Sequence, residues 1–390
     1  MKNKLKILLG SLAMLMTGLM YGWSVLSRPI GEDLKINQGN LSLVFTFAMA
    51  FFCLGGLGAG YLKTRNKGHY ILSIALFLMV FGYFFASFAK GTLELFIGYG
   101  FCVGFSVGLI YTYLLSNLTP LIPKKQGLIS GILLFGFGMS SMIFGPLYTH
   151  LIDKDYFTWR QLFRIFSMII FFMILLLVIF IPDQKFSKRS RDDDRSVDSK
   201  TMLQTRVFRW YFLWTLSYTA IGIATISQGA TMIKTSISGI SDSIIAIIIG
   251  VLSLSNGLGR ILIGYLFDHY GRKISMLSIG AMAILSQIML LMNLKFGTLS
   301  ITLVAFILVG LFYGGVPSNN SAFTMTIFGE KYYSMNLSYL NLNLLLASFA
   351  SVFAGKLFDR HHSYFILLFL TLFISLIAMA IHRFLEKEMA

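Results

Sequence analysis

Charge is what this chain is short of. Of its 390 residues only 12% are Asp, Glu, Lys or Arg, and 56% are apolar. A water-soluble domain carries about 25% charged residues, and no such fold hides this much apolar surface, so the solvent is lipid. Cysteine is almost absent. Cys53 and Cys102 each lie inside an apolar run, form no CxxC pair and no disulfide framework, and read as small buried side chains. Acidic residues number 16 against 32 basic ones, and none falls in the middle of an apolar run: Glu94, Asp242, Asp268, Glu330 and Asp359 all stand at run ends. No histidine sits at mid-depth either. The sequence has no P-loop, no metal-ligand cluster and no GxSxG elbow. An enzyme, a bound metal and a cofactor are therefore not expected, and the energy source must be a gradient of solute or protons. Zinc-finger spacing and basic–aromatic alternation are missing too, so the net charge of +16 does not mark a nucleic-acid surface.

What the chain does have is long apolar runs. Crossing a bilayer takes about 20 apolar residues in a helix. Twelve runs meet this, near 5–28, 41–62, 70–89, 93–117, 127–150 and 162–182, then 207–232, 242–266, 273–294, 299–326, 334–357 and 363–384. They are continuous rather than alternating, which excludes barrel strands. Lys2, Lys4 and Lys6 before the first run resemble a signal peptide, but the run extends to about Leu26 and many others follow, so it reads as a retained helix. The expected fold is an all-α membrane protein of twelve transmembrane helices in two six-helix halves, 1–182 and 207–390, joined by a hydrophilic linker, 183–206, that shows no apolar periodicity. Lys63, Arg65, Lys67, Lys124, Lys125, Arg272, Lys273 and the linker's basic cluster fall on one side. The preference of cations for the cytoplasmic face then puts both termini in the cytoplasm.

One loop occurs twice. After the eighth run the sequence reads Gly264-Tyr-Leu-Phe-Asp268-His-Tyr-Gly271-Arg272-Lys273; after the second it reads Gly60-Tyr-Leu-Lys-Thr64-Arg65-Asn-Lys67-Gly68. The same loop at the same place in each half indicates duplicated halves. The pattern resembles the GxxxD(R/K)xGR(R/K) loop of the major facilitator superfamily. Its glycine permits close helix approach, its aspartate suits a neighbouring helix N-terminus, and its cations fix the cytoplasmic side. In the first copy Thr64 replaces the aspartate and the glycine falls one residue late, which weakens the expected first-half gate. The fifth run, Gly136-Phe-Gly138-Met-Ser-Ser-Met-Ile-Phe-Gly145-Pro146, is similar to that superfamily's glycine-rich fifth helix, with a kink expected at Gly145-Pro146, and Trp159-Arg160 matches its usual pair before the sixth. The gating set implied by these motifs is Gly60, Arg65, Gly145, Pro146, Gly264, Asp268, Gly271, Arg272 and Lys273.

A narrower resemblance runs over most of the chain. Tyr21-Gly-Trp23-Ser24-Val25 and Pro29 lie on the first helix, and Gly98-Tyr-Gly100, Gly104-Phe-Ser-Val-Gly108-Leu-Ile-Tyr111 on the fourth, ahead of Pro123-Lys124-Lys125-Gln-Gly127. Asn256-Gly257-Leu-Gly259-Arg260 lies on the eighth, and Ala354-Gly355-Lys-Leu-Phe-Asp359 with Ser363-Tyr364 ends the eleventh. In order and placement these resemble the oxalate:formate antiporter family and the related monocarboxylate transporters. Arg260 stands eight residues before Asp268, the expected membrane edge. At about 1.5 Å per residue it lies roughly 12 Å deep in a core about 30 Å thick. A charge there costs at least about 2.5–3.5 kcal/mol, so it should face a polar cavity, where a guanidinium fork suits a carboxylate. The resemblance implies the same role. The alternative is an arginine tied to backbone carbonyls that holds two helices together.

With an embedded cation and no embedded carboxylate, an anion is the expected substrate. Oxalate-transporting members of that family add a lysine on the eleventh helix, but here its middle reads Tyr339-Leu-Asn341-Leu-Asn343, and Lys356 lies at the outer end. One cation suits a monocarboxylate such as formate or lactate better than oxalate. Tyr21, Trp23, Tyr111, Asn256, Tyr313 and Asn341 are candidate partners of substrate, each with packing between helices as the alternative. Arg28, Arg160 and Arg164 lie near the outer face as interfacial anchors or as a vestibule for anions. The expected protein is a secondary transporter of a small organic anion working by alternating access, as antiporter or proton symporter, with protons and membrane lipid as its other partners. It is expected as a monomer in a bacterial plasma membrane. An exporter of drugs or another neutral solute, and a non-transporting sensor on the same scaffold, are the competing readings.

Overall fold

A computed structural model describes residues 2–122, 124–154, 156–181, 196–237 and 239–389. Among these described residues twelve long helices follow one another. α1 runs from Lys2–Thr17 through a 3-10 stretch, Gly18–Gly22, into Trp23–Leu34; α2 is Gln38–Thr64, α3 His69–Ala86. α4 starts at Thr92–Leu95, passes through a π stretch at Phe96–Val103 and continues as Gly104–Leu118; α5 is Gln126–Asp153 and α6 Trp159–Phe180. α7 is Arg206–Ser227, and Asp242–Phe296 holds α8 (242–270) and α9 (272–296). α10 is Leu299–Phe328, α11 Tyr333–His361 and α12 Phe365–Glu388. Among the described residues, ten helical stretches are long and apolar enough to cross a membrane, α8 and α9 counting as one.

The starts of these helices are written locally. Asn37 caps α2 by accepting from the Asn40 amide (2.8 Å), and Thr158 with Gln161 forms a capping box on α6. Thr205 caps α7, accepting from the Phe208 amide at 3.0 Å. α8 and α9 are separated at Gly271, whose φ of 81° and ψ of 173° only glycine adopts without strain. In the first copy of the loop the left-handed residue is Asn66 (φ 57°), a residue type that tolerates it, while Gly68 is helical.

Three elements depart from the sequence expectation. The seventh run is not one helix: α7 stops at Gln228, whose side chain accepts from the Tyr364 hydroxyl (3.1 Å), and a separate helix, Gly229–Ser236, follows. Part of the expected linker is helical. Asp198 accepts from the amides of Lys200 and Thr201 and from the Thr201 hydroxyl, and Met202 buries fully, giving the short helix Ser199–Gln204. These bonds hold the exposed Asp198 carboxyl below its ordinary pKa. The stretch 183–195 of the linker lies outside the described residues. Lys63 is not a loop cation. It lies within α2, is buried, and donates to Asn117 Oδ1 of α4 at 2.8 Å, because α2 runs to Thr64, past the end of the apolar run near 62.

The described residues group into two compact units, one drawn from 1–123, 135–197 and 324–339, the other from 124–134, 198–323 and 340–390. The first has an aromatic core in which Tyr99 packs against Trp23, Tyr83 and Phe163 and donates to the Met20 carbonyl at 2.6 Å. The second is tied together by a buried polar network. Tyr211 and Thr215 of α7 both donate to Asn320 Oδ1 of α10 (3.0 and 2.9 Å), Asn343 of α11 donates to Thr215 Oγ1 (2.9 Å), and Asn319 links Tyr211 to Ser275 of α9 (2.8 and 2.7 Å). In lipid a stranded hydroxyl has no water to turn to. Asn320→Leu, with the same number of side-chain heavy atoms and the same branching, is expected to destabilise the protein by about 1–3 kcal/mol, read as a lower midpoint of thermal unfolding in detergent. An unchanged midpoint would show that the network contributes nothing.

Candidate functional site

Asn256, Arg260, Gly264 and Asp268 recur every fourth residue on α8 and so form one stripe along the helix. The stripe lies against the first turns of α5. At its lower end Asp268 Oδ1 accepts from the Gly127 amide (2.8 Å) and Oδ2 from the Leu128 amide (2.7 Å). These first-turn amides have no partner within α5, and a carboxylate there also meets the positive end of the helix. Above this the two backbones touch. A Cβ on Gly127 would sit 2.5 Å from the Gly264 carbonyl oxygen, and one on Gly131 would collide with the Arg260 carbonyl. At the top Arg260, 8% exposed, donates from Nη1 to the Leu134 carbonyl and from Nε and Nη2 to Asn256 Oδ1 (3.4 and 3.3 Å). Tyr313 of α10 stands within electrostatic reach of this guanidinium, its ring lying against Gly222 of α7. Asn341 of α11 is buried.

Among the described residues, Lys63 and Arg260 are the buried Lys and Arg side chains. Lys63 is next to last in α2, so Arg260 is the cation set within the length of a helix. In the present arrangement its fork is held by main-chain and amide oxygens, which is the desolvated, donor-rich setting that a carboxylate oxygen would also suit.

In the first unit Tyr21 and Tyr111 share a neighbour: their rings lie 5.3 and 5.4 Å from that of Phe137, and Tyr111 also meets Phe52 edge-on. Trp23 is elsewhere. It is 3% exposed, donates its indole N–H to the Leu41 carbonyl (3.0 Å) and packs on Tyr99.

The motif residues divide by environment. Arg272 pairs with Glu386 of α12 at 3.2 Å, while Lys273 is exposed. In the first copy Gly60 lies against the Met335 backbone, a Cβ there falling 2.7 Å from Met335 Cα. Thr64 donates to the Tyr61 carbonyl of its own helix, and Arg65, exposed, lies over the Tyr61 ring. α5 continues through Gly145 and Pro146, where Thr149 donates to the Gly145 carbonyl (3.2 Å). Arg28 pairs with Glu32 (3.0 Å). Arg160 is held by Asp33 and by the carbonyls of Ser87 and Ala89, and Arg164 by the Ser87 hydroxyl. These last two clamp the end of α3. Sequence reading weighed backbone carbonyls as the alternative partner of Arg260 but did not single out Leu134, since a main-chain acceptor leaves no side-chain signal, and it missed the Lys63–Asn117 bond.

Apolar helices crossing the bilayer, with a desolvated arginine on a stripe that closes against a neighbouring helix, are the parts of a multi-pass membrane carrier. The chain belongs to the Major Facilitator Superfamily, whose family model matches residues 7–344, and its fold is that superfamily's, twelve helices in two six-helix halves. It is 23% identical over 350 residues to the oxalate:formate antiporter of Oxalobacter formigenes, covering 88% of this chain and 81% of that protein. It is 30% identical over 99 residues to human monocarboxylate transporter 11, covering 25% of this chain and 21% of that one. Among solved structures it is similar to the proton:xylose symporter XylE (TM-score 0.77, 15% identity, 99% of this chain and 96% of the other). It is also similar to the fucose:proton symporter FucP of E. coli (TM-score 0.72, 15% identity, 99% of each). At such identity these structures speak for the fold alone. The protein is a multi-pass membrane transporter.

Proposed function

We propose that the protein carries a small monocarboxylate, such as formate or lactate, across the plasma membrane by alternating access of its halves 1–182 and 207–390 about the linker 183–206. The observation that supports this is Arg260, a buried guanidinium on the α8 stripe with no lysine at corresponding depth on α11. A single fixed cation neutralises one carboxylate; a dianion would bring an uncompensated charge into a site of low dielectric. The likeness to the oxalate:formate antiporter adds support for carboxylate chemistry. Asn256 orients the guanidinium, and Tyr313 and Asn341 on neighbouring helices of the same unit are its supporting polar groups, with Tyr21 and Tyr111 lining the first half. Transport runs as exchange or together with a proton, both termini facing the cytoplasm.

The test is uptake into proteoliposomes of labelled formate, lactate and oxalate, with xylose as a neutral solute of the kind handled on the same fold. One monocarboxylate is expected to enter and to be competed by its unlabelled form. Entry of oxalate in preference to either monocarboxylate would overturn the charge argument. Entry of xylose alone would overturn the anion reading.

A further inference from the structure

A groove of about 340 Å³ in the second unit belongs to none of the machinery above. It is lined by Arg206, Arg209, Trp210, Leu213 and Glu388, where α7 begins and α12 ends. The four α7 residues are spaced i, i+3, i+4 and i+7, which places them on one helical face. Their chemistry changes along that face. Arg206 and Arg209 are exposed at the first turn; Trp210 follows, half-buried and stacked on Phe384 of α12 (5.5 Å, 19°); Leu213 follows, 44% exposed. Phe384 is itself 52% exposed. From Arg206 to Leu213 the helix rises about 10 Å, enough to pass from the headgroup layer into the hydrocarbon. Cation, aromatic and aliphatic side chains follow in the order in which a phospholipid presents phosphate, glycerol esters and acyl chain, and aromatic side chains favour the middle of that order.

The charges of the groove are unequal. Glu388 bridges Arg206 at 3.4 Å, a contact with Arg206 72% exposed, while the Arg209 side chain makes no hydrogen bond or ion pair among the described residues. The groove thus holds one cation in excess. Its apolar floor opens where α7 and α12 carry exposed Leu213 and Phe384, an apolar surface suited to an acyl chain.

We propose that this groove binds an anionic phospholipid, its phosphodiester between Arg206 and Arg209 and an acyl chain along Trp210, Leu213 and Phe384. The site is independent of the transported solute and of Arg260.

Native mass spectrometry of the full-length protein, released from micelles holding equal amounts of phosphatidylglycerol, phosphatidylethanolamine and phosphatidylcholine, tests it. Preferential retention of phosphatidylglycerol is expected. The preference should fall roughly five-fold for each arginine removed, the scale of one basic residue at an anionic surface, in Arg209→Gln and then in Arg206→Gln/Arg209→Gln. Arg209→Gln removes a side chain with no described partner, so it keeps the fold even where the double variant does not. Equal retention of the three lipids, preference for phosphatidylethanolamine, or a preference unchanged in Arg209→Gln would overturn the proposal. Loss of phosphatidylglycerol on adding excess inorganic phosphate would also overturn it, by showing a site for free anion rather than for lipid.

Discussion

Arg260→Gln should abolish carboxylate uptake in a protein that still folds. Removing one partner from a desolvated charge pair costs about 2–5 kcal/mol, roughly 30- to 5,000-fold in apparent affinity for the anion. Glutamine ends where Arg260 Nε stands, so it keeps a donor toward Asn256 Oδ1 and loses the one to the Leu134 carbonyl; the Asp268 bonds to the start of α5 remain, so the α5–α8 seam should survive in part. Arg260→Lys keeps the charge and loses the planar fork, and is expected to fall between the two. Uptake of labelled formate and lactate, measured beside the thermal unfolding midpoint, separates chemistry from structure. Wild-type uptake in Arg260→Gln would make the arginine a helix tie and nothing more. Loss of uptake together with a collapsed midpoint would send the question to Arg260→Lys, whose stability is predicted to be near that of the parent.

The second large effect is expected at Asp268. Its carboxylate accepts two amides at the start of α5, at 2.8 and 2.7 Å. Asparagine offers one acceptor oxygen and turns its amide group toward the other N–H. The loss of one charge-assisted bond and of the interaction with the helix N-terminus amounts to about 2–3 kcal/mol. If the seam opens and closes during transport, that loss shifts the balance toward the open form by roughly 30- to 150-fold. A cysteine at Leu134, a position fully buried beside Arg260, reports on this in a chain carrying Cys53→Ser and Cys102→Ser. Asp268→Asn should speed its alkylation by a membrane-permeant reagent by a comparable factor. An unchanged rate would mean that Asp268 staples the two helices permanently and takes no part in gating. The first copy of the loop offers a contrast, because Thr64 bonds within its own helix and supplies no carboxylate. The structure holds Lys63 and Asn117 together at that end of the first unit instead.

Some of these features are legible from residues alone because their causes are local. The helices can be placed because lipid demands about 20 apolar residues per crossing and because Asn37, Thr158 and Thr205 carry their own capping oxygens. Gly271 can be identified as the divider of α8 and α9 because only glycine takes its backbone angles. The stripe of Asn256, Arg260, Gly264 and Asp268 follows from a spacing of four. Even the short helix Ser199–Gln204 had a local signal, the capping Asp198, hidden within a polar stretch.

By itself, then, the sequence determined a lipid-embedded, all-helical chain with a repeated loop, one arginine at mid-depth of an apolar helix and a polar stretch at its middle. Each is a property of composition, period or cap and needs no contact between distant residues. Only the tertiary structure decided which oxygens hold that arginine, that Lys63 is buried on Asn117, that Trp23 packs on Tyr99 while Tyr21 and Tyr111 share Phe137, and that α7 breaks at Gln228. It also decided that two arginines, a tryptophan and a leucine of α7 face the end of α12 as a groove. These outcomes rest on pairs far apart in the chain, and a buried polar group takes whichever partner the packing of neighbouring helices brings within hydrogen-bond reach.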